Sequence, residues 1–313
     1  MSKVFVTGGS GFVGAHVVRA YIEAGWEVTV FGPSPKPCLT ETDLARISFQ
    51  EGDITNYNDI DLALAKTQPE LVVGLAAYGE TGRGLLASAA ADEASALKVN
   101  VNGFHNLLTA CFKQNTPRVL WASTLAVFGG PTLYADGIVY DDSPCRPETF
   151  YGLTKALAES IARFFRETHG LVIIGLRLPL VFGPGLWYQG VASKIKVLFE
   201  AAAKDEKAEI EAPAEPIDLM YVKDVARAFL HLTNHTGPLD LIYNLTAYSA
   251  TADSLANVVQ EIRPASEVRV KPIRSAYHYP TVNGEKLGRK TGFSHKFDLR
   301  AACEDYINEL AKA

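Results

Sequence analysis

The chain has 313 residues, 48% of them hydrophobic and 21% charged, with a formal net charge of −5. That balance suits a globular enzyme of one large or two closely joined domains. The basic residues are scattered, not gathered into the stripes that nucleic acid demands, so nucleic acid is excluded as a partner. Cys38, Cys111, Cys145 and Cys303 lie far apart with no CxxC pair, which argues against a zinc site or a disulfide framework. No run approaches the ~18 apolar residues of a membrane span, so no membrane association is expected. The N-terminus enters a strand directly and leaves no room for a signal peptide, so the expected location is the cytoplasm, with reduced thiols and no metal.

In chain order, short apolar runs at residues 4–6, 27–31, 47–50, 71–75, 119–122 and 171–176 read as strands, several of them apolar on both faces. Helical patterns stand between them at 11–24, 89–113 and 150–169, and a further one at 222–234 precedes a last strand at 240–245. This alternation predicts an α/β fold, a doubly wound parallel Rossmann sheet. A charged, helix-like stretch at 194–209, an aromatic cluster at 187–189 and a Pro-spotted region at 264–280 fall outside that rhythm. The expected division is a dinucleotide-binding domain of residues 1–180 plus 218–247, and a smaller substrate-binding domain of 181–217 plus 248–313.

The first strand runs into TGGSGFVG, which places Gly8, Gly11 and Gly14 at a strand-to-helix junction. Glycines there permit the tight turn, the close approach of a pyrophosphate and the packing of helix on strand, while the helix N-terminus offers free N–H groups to the anion. Phe12 and Val13 complete that turn. The second strand ends EVTVFGPSPK, with Gly32 where a carboxylate would bridge the ribose hydroxyls of NAD. Gly32 removes the repulsion of a 2′-phosphate, Ser34 offers a hydrogen bond and Lys36 a positive charge, so NADP(H) is expected over NAD(H). The alternative is that Lys36 only faces water and NAD is held by other contacts.

Tyr151 and Lys155 lie four residues apart on a helix and so share one face. A free phenol has a pKa near ~10, and a neighbouring ammonium favours the phenolate that a general base requires. The predicted strand at 119–122 runs into two hydroxyls, Ser123 and Thr124, at the end where doubly wound sheets place their ligands.

With TGGSGFVG, GDIT (52–55), LAA (75–77), NVNG (100–103), STLAVFGG, YGLTK, LRLPLVFGPG (176–185) and YVKDVARA (221–228), the whole chain resembles an extended short-chain dehydrogenase/reductase of the NAD-dependent epimerase/dehydratase family. The resemblance implies Tyr151 as acid/base, Lys155 as its activator and ribose ligand, and Thr124 as the catalytic hydroxyl. It also implies Asp53 and Ile54 beside the adenine, and Leu75, Ala76, Ala77 and Pro179 along the cofactor. Asn100 is expected either to support the helix and water chain behind Lys155 or to be a hydrogen-bonded helix residue with no catalytic part. The same resemblance implies a homodimer, formed by pairing the helices at 89–113 and 150–169 with their copies.

Departures from the pattern narrow the branch. Leu180 replaces the Asn that touches a nucleotide sugar in the family's epimerases. Ile217 stands where those enzymes carry an arginine for the diphosphate, with Glu211, Glu215 and Asp218 close by. Arginine supplies the forked donors that phosphates favour, so this acidic segment is a poor host for a diphosphate; Arg274, in the tail, reads as a surface charge. The expected activity is therefore an NAD(P)-dependent oxidoreductase acting on the secondary alcohol or ketone of a small polyol, sugar or hydroxy acid. The alternative is a nucleotide-sugar epimerase or dehydratase that recycles its NAD. Candidate substrate contacts are Thr81, Arg83, Ser123, Trp187 and Gln189. Arg83 either clamps a carboxylate or is a solvated loop charge, and the aromatics Trp187 and Tyr188 either wall the pocket or pack the small domain.

Overall fold

A computed structural model describes residues 1–80, 82–275 and 278–312, with the side chain of Val191 left aside. Seven strands form the central sheet: β1 (Lys3–Thr7), β2 (Glu27–Gly32), β3 (Ser48–Glu51), β4 (Leu71–Gly74), β5 (Val119–Thr124), β6 (Ile173–Leu178) and β7 (Ile242–Asn244). They lie in the order β3-β2-β1-β4-β5-β6-β7, and every pair is parallel. The strand order reverses between β1 and β4, which opens a crevice at their C-terminal ends, the place where such sheets take ligands.

Alternation along each strand feeds two cores, as a sheet buried on both faces requires. Val4, Val6, Val28, Val30, Leu120 and Ile174 pack on one side with α1 (Phe12–Glu23). Phe5, Phe31, Val72, Trp121 and Ile173 pack on the other with α2 (Tyr57–Thr67), α3 (Phe104–Lys113) and α4 (Phe150–His169). The helix α2 is one the apolar pattern does not announce, because it buries only Ile60, Ala63 and Leu64.

Two expectations are corrected. The helix expected at 89–113 is broken: Leu85–Ala91 ends, Asp92 caps Glu93–Leu97 through the Ser95 amide, and a π turn at Lys98–Gly103 leads into α3. The stretch at 194–209 divides into α5 (Val191–Ala203) and a strand, Lys207–Pro213, where the period changes to two and Ile210 and Ala212 turn inward. That strand pairs with Glu267–Ile273, and a three-stranded sheet joins Leu180–Phe182, Ile217–Tyr221 and Tyr248–Ala250. Then α6 (Val222–Asn234) packs on α1, while α7 (Ala252–Ile262) and α8 (Leu299–Lys312) cover α5.

A buried ion pair fastens α4 to the sheet. Arg177 of β6 donates to Glu159 Oε1 at 2.8 Å and Oε2 at 2.7 Å, and the two side chains are only 3% and 9% exposed. Arg177 also reaches the Asp141 carbonyl and the Asn244 side chain, and its guanidinium lies over the Phe128 ring. Removing one partner of such a pair leaves an uncompensated charge, whereas replacing both by apolar groups is often close to neutral. Arg177→Met is therefore expected to lower the unfolding free energy by about 3–5 kcal/mol in urea titrations. Adding Glu159→Met to it should recover a large part of that loss.

Candidate active site

The sheet's C-terminal crevice is lined first by the turn between β1 and α1. Gly8 has φ +70°, and a Cβ there would lie 2.6 Å from the Ala76 amide nitrogen beyond β4. A Cβ on Gly14 would lie 2.1 Å from the Gly8 carbonyl oxygen, so α1 can enter at this height only without a side chain. Gly11 is the N-cap and supplies no side-chain cap, which leaves the first-turn N–H groups of Phe12, Val13 and Gly14 facing an outside acceptor. A turn of this shape, with free N–H groups at a helix start, can serve as a cradle for a phosphate.

Past β2, the chain doubles back on the cradle. Cys38 donates its amide to the Ser10 carbonyl at 3.0 Å, and Arg19, ion-paired with Asp43, holds the Cys38 carbonyl at 2.8 Å. Ser34 and Lys36 are exposed, and the Ser34 hydroxyl accepts from the Lys36 amide. A Cβ on Gly32 would meet nothing within 4 Å, so the space a ribose needs is open. At the end of β3, Asp53 accepts from the Thr55 amide, and Asn106 of α3 holds the Ile54 carbonyl. Leu75, Ala76 and Ala77 follow β4, half-buried, and Pro179, also half-buried, leaves β6.

The helix α4 carries the tyrosine–lysine pair. Thr149 caps it by accepting from the Gly152 amide, and a Cβ on Gly152 would lie 2.0 Å from the Ala126 carbonyl oxygen. The helix is thus pressed against the turn that follows Thr124, whose hydroxyl accepts from the Ala126 amide. Lys155 is 5% exposed; its Nζ donates to the Ala122 carbonyl at 2.9 Å and sits 5.8 Å from the Trp121 ring. Burial pushes the Lys155 ammonium down to about 8, with Glu159 opposing the shift. Tyr151 is 6% exposed, and among the described residues its hydroxyl makes no hydrogen bond. Burial raises its phenol above the ordinary tyrosine range, and Tyr188 adds to the rise. Desolvation here outweighs the expected help from the ammonium.

The structure brings Thr124, Tyr151 and Lys155 to one corner and sorts the remaining expectations. Asn100 accepts from the Tyr78 amide at 2.7 Å and donates to Thr154 at 3.0 Å, so it ties the loop after β4 to α4. Ser123 is corrected: alternation along β5 turns it away from Thr124, and its hydroxyl is spent on Glu159 at 2.6 Å. Arg83, expected either as a carboxylate clamp or as a solvated loop charge, is exposed and paired with Glu80 at 2.7 Å. Trp187 is 41% exposed and Gln189 is exposed, whereas Tyr188 turns inward, its ring 6.3 Å from that of Phe12. Thr81 lies outside the described residues. Sequence reasoning left Tyr188 between pocket wall and packing and missed the buried Glu159; the nearest signal for the latter was the helical spacing that places it one turn beyond Lys155.

A model of the NAD-dependent epimerase/dehydratase family matches residues 4–246, which hold both the cradle and the tyrosine–lysine helix. The sequence is 25% identical to a putative UDP-glucose 4-epimerase of Methanocaldococcus jannaschii over 97% of each chain. The fold is similar to that of a UDP-glucose 4-epimerase of Thermotoga maritima solved with UDP-glucose, with TM-score 0.84, 25% identity and 99% of each chain covered. It is also similar to a monomeric L-threonine 3-dehydrogenase from a metagenome, with TM-score 0.85 and 99% of each chain covered; at 22% identity that likeness shows the fold alone.

The close approach at α4 has a measurable consequence. Gly152→Ala drives a methyl into backbone and is expected to cost about 1–3 kcal/mol in chemical denaturation. Gly32→Ala, which meets open space, should stay within about 0.5 kcal/mol of the parent.

Proposed function

We propose, from the premise that this chain belongs to the NAD-dependent epimerase/dehydratase family, that it interconverts a secondary alcohol and a ketone on a small polar substrate carrying no nucleotide. Membership makes it an NAD-dependent enzyme of the extended short-chain type, an oxidoreductase or epimerase. The observation that carries the finer reading is the wall built by the strand Ile217–Tyr221. Its register pairs Leu219 with Leu180, so Asp218 stands level with Pro179 at the exit of β6. Burial pushes the Asp218 carboxyl up to about 6, and among the described residues it has no ion-pair partner. Glu215 stands near it in sequence, and Arg274 is exposed. A wall with an uncompensated acid and no arginine opposes a diphosphate and suits a polyol, sugar or hydroxy acid.

The dinucleotide fits the uncapped turn of α1 and the space at Gly32, and when bound it supplies or accepts the hydride. Tyr151 gives a proton to the carbonyl oxygen in reduction and takes one from the hydroxyl in oxidation. Thr124 orients that oxygen by a hydrogen bond. Lys155, held by Ala122, presents its remaining N–H groups to the ribose and the phenol. The open Gly32, and Lys36 without an ion-pair partner among the described residues, support NADP(H) over NAD(H). Residues 181–217 and 248–313 serve as the substrate-binding part. With four free cysteines and, among the described residues, no helix long and apolar enough to cross a membrane, we place its action in the cytoplasm. Similarity to proteins named as UDP-glucose 4-epimerases favours a second reading, an epimerase that returns the hydride within one turnover.

Tyr151→Phe is expected to lower turnover by about 10²–10⁴-fold with cofactor affinity nearly unchanged. Ketone reduction by the parent should fall as pH rises through about 8, where the Lys155 ammonium is lost, and Lys155→Met should lack that limb. Fluorescence titration should show tighter binding of NADPH than NADH, and equal dissociation constants would remove the preference. Conversion of a UDP-sugar with no net change of cofactor would replace the dehydrogenase reading by the second one.

An apolar groove between α3 and α4 supports a homodimer. It is lined by His105, Phe112, Leu157, Phe164 and His169, and Phe164 is 56% exposed. Two copies of this face would form a four-helix contact. Sedimentation should give twice the 33.9 kDa chain mass, and Phe164→Glu should give the monomer. A monomeric parent would refute the dimer.

A further inference from the structure

Between the strand Leu180–Phe182 and α5, residues 183–190 cross the mouth of the phosphate cradle, and contacts with four parts of the dinucleotide fold hold them there. His16 of α1 meets the Pro184 carbonyl through Nε2 at 2.9 Å. Burial lowers the His16 pKa to about 4, so the ring is neutral at pH 7, and the tautomer with the proton on Nε2 is the one that donates. The Cys38 thiol, in the loop after β2, donates to the Gly185 carbonyl at 3.4 Å. Tyr188 lies edge-on to Phe12 in the first turn of α1, the ring centroids 6.3 Å apart. The Gln189 amide donates to the Gly82 carbonyl at 3.2 Å, and Arg83 and Gln189 form a parallel bridge in the loop after β4.

The segment therefore touches the first turn of α1, His16 further along that helix, the loop after β2 and the loop after β4. Gly183 at φ +144° and Gly185 at φ +88° occupy backbone conformations that favour glycine, as does Gly82 at φ +80° on the opposing loop. Leu186, 3% exposed, anchors the segment between Gly185 and Tyr188. Local contacts of this kind open without global unfolding, and closing segments of this kind often limit release in enzymes.

We infer that residues 183–190 form a clasp over the bound dinucleotide, with Tyr188 as the positioning residue on its inner face, so that cofactor leaves only when the clasp opens. This deepens the cofactor reading above and rests on it. The clasp makes release slow compared with an open crevice, and the Tyr188 ring, more than its hydroxyl, forms the barrier.

The test is release of NADPH from the full chain, followed by stopped-flow fluorescence after mixing with excess NADP⁺. Tyr188→Ala is expected to raise the off-rate at least tenfold and the dissociation constant by a similar factor, with the on-rate changed less than threefold. Tyr188→Phe should stay within twofold of the parent. Should Tyr188→Ala fold poorly by circular dichroism, Tyr188→Leu, which keeps apolar volume, is expected to raise the off-rate by at least threefold. An off-rate within twofold of the parent in the folded Ala or Leu variant overturns the clasp while leaving the cofactor reading intact. Failure of the parent to bind either NADPH or NADH overturns the cofactor reading, and the clasp with it.

Discussion

The site depends on a buried carboxylate. Glu159 can lie inside the protein because Arg177, Ser123 and Cys145 occupy its two oxygens, each within hydrogen-bond reach. A buried charge satisfied this completely fixes both the rotation and the height of α4 against β5 and β6. Tyr151, Lys155 and Glu159 follow at intervals of four on one helical face, so pinning the third places the other two. The near-contact of Gly152 with the Ala126 carbonyl then brings the tyrosine to the turn that carries Thr124. Packing and polar satisfaction act together here, and neither alone would set the distance between phenol and hydroxyl.

Burial sets the charge states of this corner. It moves Lys155 toward the neutral amine and Tyr151 toward the neutral phenol, the direction desolvation always favours. Burial raises the Asp218 carboxyl as well, so it gains a proton on mild acidification. The chemistry a ligand meets is therefore governed by how dry the crevice is, and residues 183–190 lie across its mouth.

Dehydrogenases and epimerases share this scaffold, as the similar solved structures show. What separates them is where a hydride goes after its first transfer, and that depends on side chains around the crevice more than on the sheet. In this chain the side chains to compare are Ile217, Asp218 and Tyr188. None of them shapes the strand order.

Much of this was legible in the sequence, where the signal is local. Apolar runs and helical periodicity placed all seven strands of the sheet and the helices at 150–169 and 222–234, because burial on two faces or on one stripe leaves a pattern within a few residues. The glycines of the phosphate cradle and the spacing of Tyr151 and Lys155 were readable for the same reason. Tertiary structure decided everything that joins distant residues. Ser123 stands next to Thr124 in the chain, yet the pleat sends it to the opposite face, where Glu159 takes its hydroxyl. Arg83 carries a charge in the sequence, and Glu80 cancels it in the fold. The helix expected at 89–113 breaks at Asp92 because a side-chain cap there competes with the helical backbone. Above all, Gly185 reaches Cys38, and Gln189 reaches Gly82, across more than a hundred residues of chain. Contacts of that range follow from how layers stack, and a linear pattern carries no record of them.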